Sequence, residues 1–176
     1  MKRILLMLGT FLLIVVLGVV AVYFALGAPP YDSNRVILDR TMEPTLRAGE
    51  RVIANPRVEP VQGSIVLYTA TDADEVLAGR VIATGGQTVD LVGGRVTVDG
   101  KLLDEPYRHG QPTYPTSPAV TFPTKVPPGD LWILGDNRAS NMDSRRFGPV
   151  SPSSVNGVVT AVYWPLTGFR ILGQSR

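Results

Sequence analysis

Between Ile4 and Gly27 the chain carries no charged side chain, and no other feature of its sequence limits the fold as strongly. Wound as a helix rising roughly 1.5 Å per residue, that run is long enough to cross a hydrocarbon core of about 30 Å. It is longer than the apolar core of a typical secretory signal, about 7–15 residues, and Pro29 and Pro30 crowd the small-residue site Ala25-Leu26-Gly27. A retained anchor is therefore expected over a cleaved signal, and either one exports the remainder of the chain. Lys2 and Arg3 precede the run, so the positive-inside bias holds that end in the cytoplasm and sends everything beyond Gly27 outside. The expected organisation is an N-terminal transmembrane anchor over 1–27, a stiff linker over 28–35 around Ala28-Pro29-Pro30-Tyr31-Asp32, and one extracytoplasmic domain over 36–176 at the cytoplasmic membrane.

The exported part reads as all-β. Glycine (18) and proline (15) are plentiful, which favours short strands and turns over a helical bundle. Arg51-Val52-Ile53-Ala54, Ser64 to Tyr68, Arg80 to Ala83, Leu131 to Leu134, Val158 to Trp164 and Phe169 to Leu172 are apolar or β-branched runs with turn residues nearby. Gly93-Gly94 and Asp99-Gly100 separate three further runs and predict two successive hairpins, because these pairs supply the positive φ that two-residue turns require. Tyr107 to Pro128 is proline-rich without periodicity and reads as an extended surface excursion, with the sole histidine, His109, solvated within it.

Composition also excludes several kinds of chemistry. With no cysteine there is no disulfide, thiolate metal site or cysteine nucleophile, and nothing points to a metal or an organic cofactor. Once Lys2 and Arg3 are set aside, basic and acidic residues balance, a poor composition for binding nucleic acid.

Three segments carry more information. Thr41-Met42-Glu43-Pro44-Thr45-Leu46 resembles the nucleophile box of type I signal peptidases, where a serine precedes Met-x-Pro-Thr-Leu. Gly79-Arg80-Val81-Ile82 resembles their Lys-Arg-Val-Ile base box, and Gly135 to Arg145 resembles their Gly-Asp-Asn-Arg…Asp-Ser-Arg box. Gly63 to Tyr68 and Phe147-Gly148-Pro149-Val150 fall in the family's order as well, so the resemblance covers roughly residues 36 to 172. It implies a mainly antiparallel β fold that acts on exported preproteins. In such enzymes a serine attacks the scissile carbonyl and a neutral buried lysine takes its proton, which requires desolvation to lower the amine's pKa.

The same resemblance places substitutions at the chemistry. Thr41 stands at the nucleophile position, where its extra methyl restricts χ1. Gly79 stands at the base position and accepts no proton, a loss typically worth about 10²–10⁴-fold. Asp39 stands where a small residue lines the oxyanion site, and Asn141 where a serine orients the lysine. Arg80, Asp143 and Arg145 match the family's charged cluster and are expected to form one ion-pair network. Met42 and Pro44 read either as cleft rim or as packing and turn residues, and Gly135 and Asp136 as a turn.

These residues describe a catalytically impaired homologue that binds preproteins or signal-peptide regions, alone or beside another membrane-associated export or assembly machine. Two alternatives stay open. One is a working endopeptidase using Thr41 with a base from Lys101, Lys125 or a partner; the other is an interaction module that keeps only the fold. Asp39→Gly, Thr41→Ser, Gly79→Lys and Asn141→Ser together would restore every element the resemblance identifies.

Overall fold

The computed structural model describes residues 9–19, 40–70 and 75–173. The chain divides into two units, Met1–Pro30 and Tyr31–Arg176. In the first, residues 9–19 form a helix, α1, with Phe11, Leu12, Ile14 and Leu17 exposed. Among the described residues no helix is long and apolar enough to cross a membrane. The rest of the expected anchor, the linker 28–35 and Asp39 lie outside the described residues.

The second unit is built from antiparallel strands. In chain order these are β1 (Arg51–Asn55), β2 (Ile65–Thr69), β3 (Val76–Thr84), β4 (Thr88–Val92), β5 (Arg95–Val98), β6 (Lys101–Leu102), β7 (Thr124–Lys125), β8 (Leu131–Leu134), β9 (Val155–Trp164) and β10 (Arg170–Ile171). The larger sheet runs β1-β9-β2-β3-β8, with β10 also paired to β9; the smaller runs β6-β5-β4-β7. Both predicted hairpins form, joining β4 to β5 and β5 to β6, and Gly93, Gly94, Asp99 and Gly100 all take positive φ.

Period-2 alternation distributes β8 between two cores. Leu131 and Ile133 join Val66, Tyr68, Leu77 and Val81, whereas Trp132 and Leu134 join Ile82, Val89, Val96 and Val126. A third cluster holds Met42, Leu46, Val52, Leu67, Ala78 and Val162. Strands buried on both faces read as continuous apolar runs, as Leu131 to Leu134 does.

The proline-rich excursion differs from its sequence reading. Rather than lying on the surface throughout, it sends β7 into the smaller sheet beside β4 and buries Thr113 and Val126 completely. Phe122 meets Trp132 edge-on at 5.7 Å. Irregular backbone hides this from a periodicity argument, because its inward residues follow no fixed spacing.

Candidate active site

Thr41 sits in a single 3₁₀ turn, Arg40–Met42, and is buried. Its position depends on a glycine: a Cβ on Gly135 would lie 2.6 Å from Thr41 Cγ2 and 2.7 Å from the Thr41 carbonyl oxygen. The segment after β8 then wraps the turn. Asn137 N donates to the Thr41 carbonyl at 2.9 Å and Asn137 Nδ2 to the Arg40 carbonyl at 3.0 Å. Thr41 Oγ1 lies 3.2 Å from Ser140 Oγ. Met42 is fully buried in the core cluster with Leu46 and Ala78, the packing alternative of its two readings; Pro44 is exposed.

Gly79 lies within β3, opposite Val66 of β2, and every residue from Leu77 to Ala83 is buried. It faces the apolar cluster of Tyr68, Val81 and Ile133. Asn141, read from sequence as the neighbour of the base position, is exposed; the hydroxyl that approaches Thr41 belongs to Ser140, one residue earlier. In an irregular segment no period indicates which of two adjacent residues turns inward.

The charged residues separate into distinct clamps, which corrects the expectation of one network joining Arg80, Asp143 and Arg145. Arg80 forks onto Asp136, with Nε at 2.8 Å from Oδ1 and Nη2 at 2.7 Å from Oδ2, and its third nitrogen donates to the Gly63 carbonyl at 2.9 Å. Asp136 is therefore no simple turn residue: it is buried and also accepts from Thr45 Oγ1 at 2.5 Å. Arg145 instead pairs with Asp143 at 2.7 Å, and both are buried. The Asp143 carboxylate caps the short helix α2 (Ser144–Phe147) through Arg145 N at 3.0 Å and accepts from Gly135 N at 3.2 Å. Arg145 also donates to the Arg138 carbonyl at 2.9 Å and to the Ser140 carbonyl, so this pair holds the backbone that carries Ser140 against Thr41.

A third pair was not legible in the sequence. Arg138 bonds Glu105, both side chains buried, and reaches Thr113 Oγ1 at 2.5 Å and the Gly135 carbonyl at 2.8 Å. Tyr107 stacks on Arg80, the guanidinium carbon 4.0 Å from the ring centroid, while its hydroxyl donates to Glu105 at 3.3 Å. Burial, reinforced by the Glu105 charge, pushes the Tyr107 hydroxyl pKa well up, so it remains a donor. Glu105 carries no local signal of this role, because its partner Arg138 lies 33 residues away.

The C-terminal strand ties down the far side of the turn. Arg170 on β10 pairs with Glu50 through contacts of 2.8 and 2.7 Å, and its Nη2 donates to the Thr45 carbonyl at 2.7 Å. The hydrogen bond from Arg170 holds the Glu50 carboxyl below its ordinary value of 4.5, with the Arg47 amide assisting and burial opposing. A carboxylate with a depressed folded pKa adds stability above its unfolded pKa and loses it as pH falls through the folded value. The melting temperature of Glu50→Gln should therefore lie below wild type by a constant margin above about pH 5.5, and the two should converge as pH falls below about 4.5. Thermal melts between pH 3 and 7 check this; a gap that widens in acid would remove Glu50 from the linkage.

Taken together, the site is a buried threonine hydroxyl beside a serine hydroxyl, on a turn held by paired charges. A hydroxyl neighbour orients a hydroxyl, but it takes no proton from it near neutral pH. Lys101 and Lys125 are exposed on β6 and β7 of the smaller sheet.

The domain is thus a pair of antiparallel sheets with a buried threonine hydroxyl on the turn that Gly135 seats. Residues 3–164 match the family described as signal peptidase, peptidase S26, and the chain belongs to that family. It is 32% identical over 169 residues to a signal peptidase I of Leptolyngbya laminosa, covering 87% of this chain and 79% of that one. It is 34% identical over 149 residues to signal peptidase I of Bacillus caldolyticus, covering 78% and 82%. The crystal structure of a signal peptidase I from Enterococcus faecalis matches with a TM-score of 0.52 and 30% identity, over 58% of this chain and 98% of that one.

Proposed function

We propose that this chain is a membrane-anchored signal peptidase homologue that engages exported preproteins at their signal-peptide region and whose cleavage step is severely impaired. Residues 1–27 are its anchor and 36–176 its extracytoplasmic domain. Thr41 is its nucleophile position, Gly79 its base position and Asp39 part of its oxyanion site. The observation that carries this reading is the surrounding of Gly79, an apolar cluster with no amine among its described residues, while the hydroxyl beside Thr41 is that of Ser140. Loss of a positioned base costs about 10²–10⁴-fold, and a carboxylate at the oxyanion site opposes the charge developed there.

The Thr41–Ser140 contact favours a second reading, a slow endopeptidase in which an oriented Thr41 draws on a base from a partner. One experiment separates the two. The full chain, extracted from membranes in detergent, is mixed with a preprotein. The expected result is an intact N-terminus, retention of the preprotein, and cleavage no faster than that of Thr41→Ala. Turnover abolished by Thr41→Ala would establish the second reading, a soluble product starting near Ala28 would remove the anchor, and failure to retain the preprotein would leave an interaction module of other specificity.

A further inference from the structure

Gly79 has no need to be glycine on backbone grounds. It lies mid-strand, paired with Val66, and is absent from the residues with positive φ. Glycine within a strand ordinarily weakens it, because it loses more conformational freedom and offers no side chain to pack. What glycine provides here is volume. A Cβ at this position would lie 2.4 Å from Ile133 Cγ2, 3.2 Å from Tyr68 Cε1 and 3.4 Å from the Leu134 carbonyl oxygen.

Neither side chain yields easily. Cγ2 is attached directly to the Ile133 Cβ, so it moves only if χ1 turns or the strand shifts, and a β-branched residue is stiff at χ1. Ile133 is fully buried between Trp132 and Leu134, which are fully buried themselves. The Tyr68 ring is buried and held at its far end, where its hydroxyl donates to the Met142 carbonyl at 3.3 Å. Two residues beyond Ile133, Gly135 seats Thr41, so one short stretch both positions the threonine and closes the space at residue 79.

We propose that Ile133, backed by Tyr68, is the residue that bars any side chain, a base included, from position 79 of this site. Its catalytic meaning rests on the reading of position 79 as the base position; its physical content is independent of that reading. Position 79 and residue 133 are a coupled pair, and the missing base is sealed in by packing.

The sign of one substitution tests this in the detergent-solubilised full chain. Gly79→Ala in wild type should lower the melting temperature by roughly 3–10 °C, the usual range for overpacking a core. Made on top of Ile133→Ala, the same change should leave the midpoint unmoved or raise it by about 1–3 °C, as alanine does when it replaces a strand glycine where there is room. Ile133→Val keeps Cγ2 and should leave the penalty intact. Where Ile133→Ala is too unstable to melt cooperatively, Ile133→Leu, which lacks the second Cβ substituent, takes its place and should reduce the penalty. A neutral or stabilising Gly79→Ala in wild type would overturn the proposal, and so would an equal drop in both backgrounds. Cleavage plays no part in these measurements, so a failure here is a failure of the packing argument and not of the proposed function.

Discussion

Asp143→Ala is expected to lower the melting temperature by about 6–20 °C, far more than any single change at Thr41. Asp143 and Arg145 are both buried, and the carboxylate receives the Arg145 side chain, the Arg145 amide and the Gly135 amide. Removing it takes the counter-charge from a buried guanidinium, which keeps only carbonyl acceptors, and the acceptor from two backbone donors. Breaking a buried pair in this way costs about 3–5 kcal/mol, and in a domain of this size each kcal/mol moves the midpoint by about 2–4 °C. Thr41→Ala loses a methyl and a hydroxyl, a change nearer the ordinary cost of about 1 kcal/mol. Asp143→Asn, which keeps acceptor oxygen but not charge, should fall between them. The separation of the clamps matters for interpretation: Asp143→Ala leaves the Arg80–Asp136 fork paired, so its effect reports the Arg145 clamp alone. Equal midpoints for Asp143→Ala and Thr41→Ala in thermal melts would show that this clamp does not hold the domain together.

Repairing the four positions suggested by the sequence, Asp39→Gly, Thr41→Ser, Gly79→Lys and Asn141→Ser, is expected to leave preprotein uncut, whereas adding Ile133→Ala should produce cleavage. A lysine begins with a Cβ that would meet Ile133 Cγ2 at 2.4 Å whatever the rest of its side chain does, so the four-site chain must force Ile133 off its χ1 or displace β8, and with β8 the glycine that seats Thr41. With that space opened, a positioned base should contribute about 10²–10⁴-fold, and members of a catalytic unit show their effect only when all are present. Apolar surroundings would depress the new amine's pKa, and the neutral form is the base, so the rate should rise with pH through that value. Because Asn141 is exposed and Ser140 faces Thr41, restoring Asn141 to its own identity in the five-site chain should cost little, while Ser140→Ala should cost more. Cleavage by the four-site chain would show that position 79 accommodates lysine without help. A folded but silent five-site chain would show that position 79 is not where this fold holds its base.

Much of the architecture was legible in the sequence because its signals are local. The two hairpins follow from Gly93-Gly94 and Asp99-Gly100, and β8 from four consecutive apolar residues whose two faces both need burial. The ordered boxes around Thr41, Gly79 and Gly135 likewise pointed to the family that residues 3–164 match. Local signals failed where the backbone is irregular: Glu105, Thr113 and Val126 are buried from a segment with no period, and nothing in the spacing announces the contact of Ser140 with Thr41.

By itself, then, the sequence determined the all-β class and the family, because strand alternation, turn chemistry and ordered motifs are written in neighbouring residues. Tertiary structure alone decided the partners. Arg80 chose Asp136 over Asp143, Glu105 met Arg138, and Ile133 with Tyr68 closed the space beside Gly79. Such choices depend on which strands lie side by side and on how closely side chains pack where they meet, and neither quantity is carried by the spacing of residues along a chain.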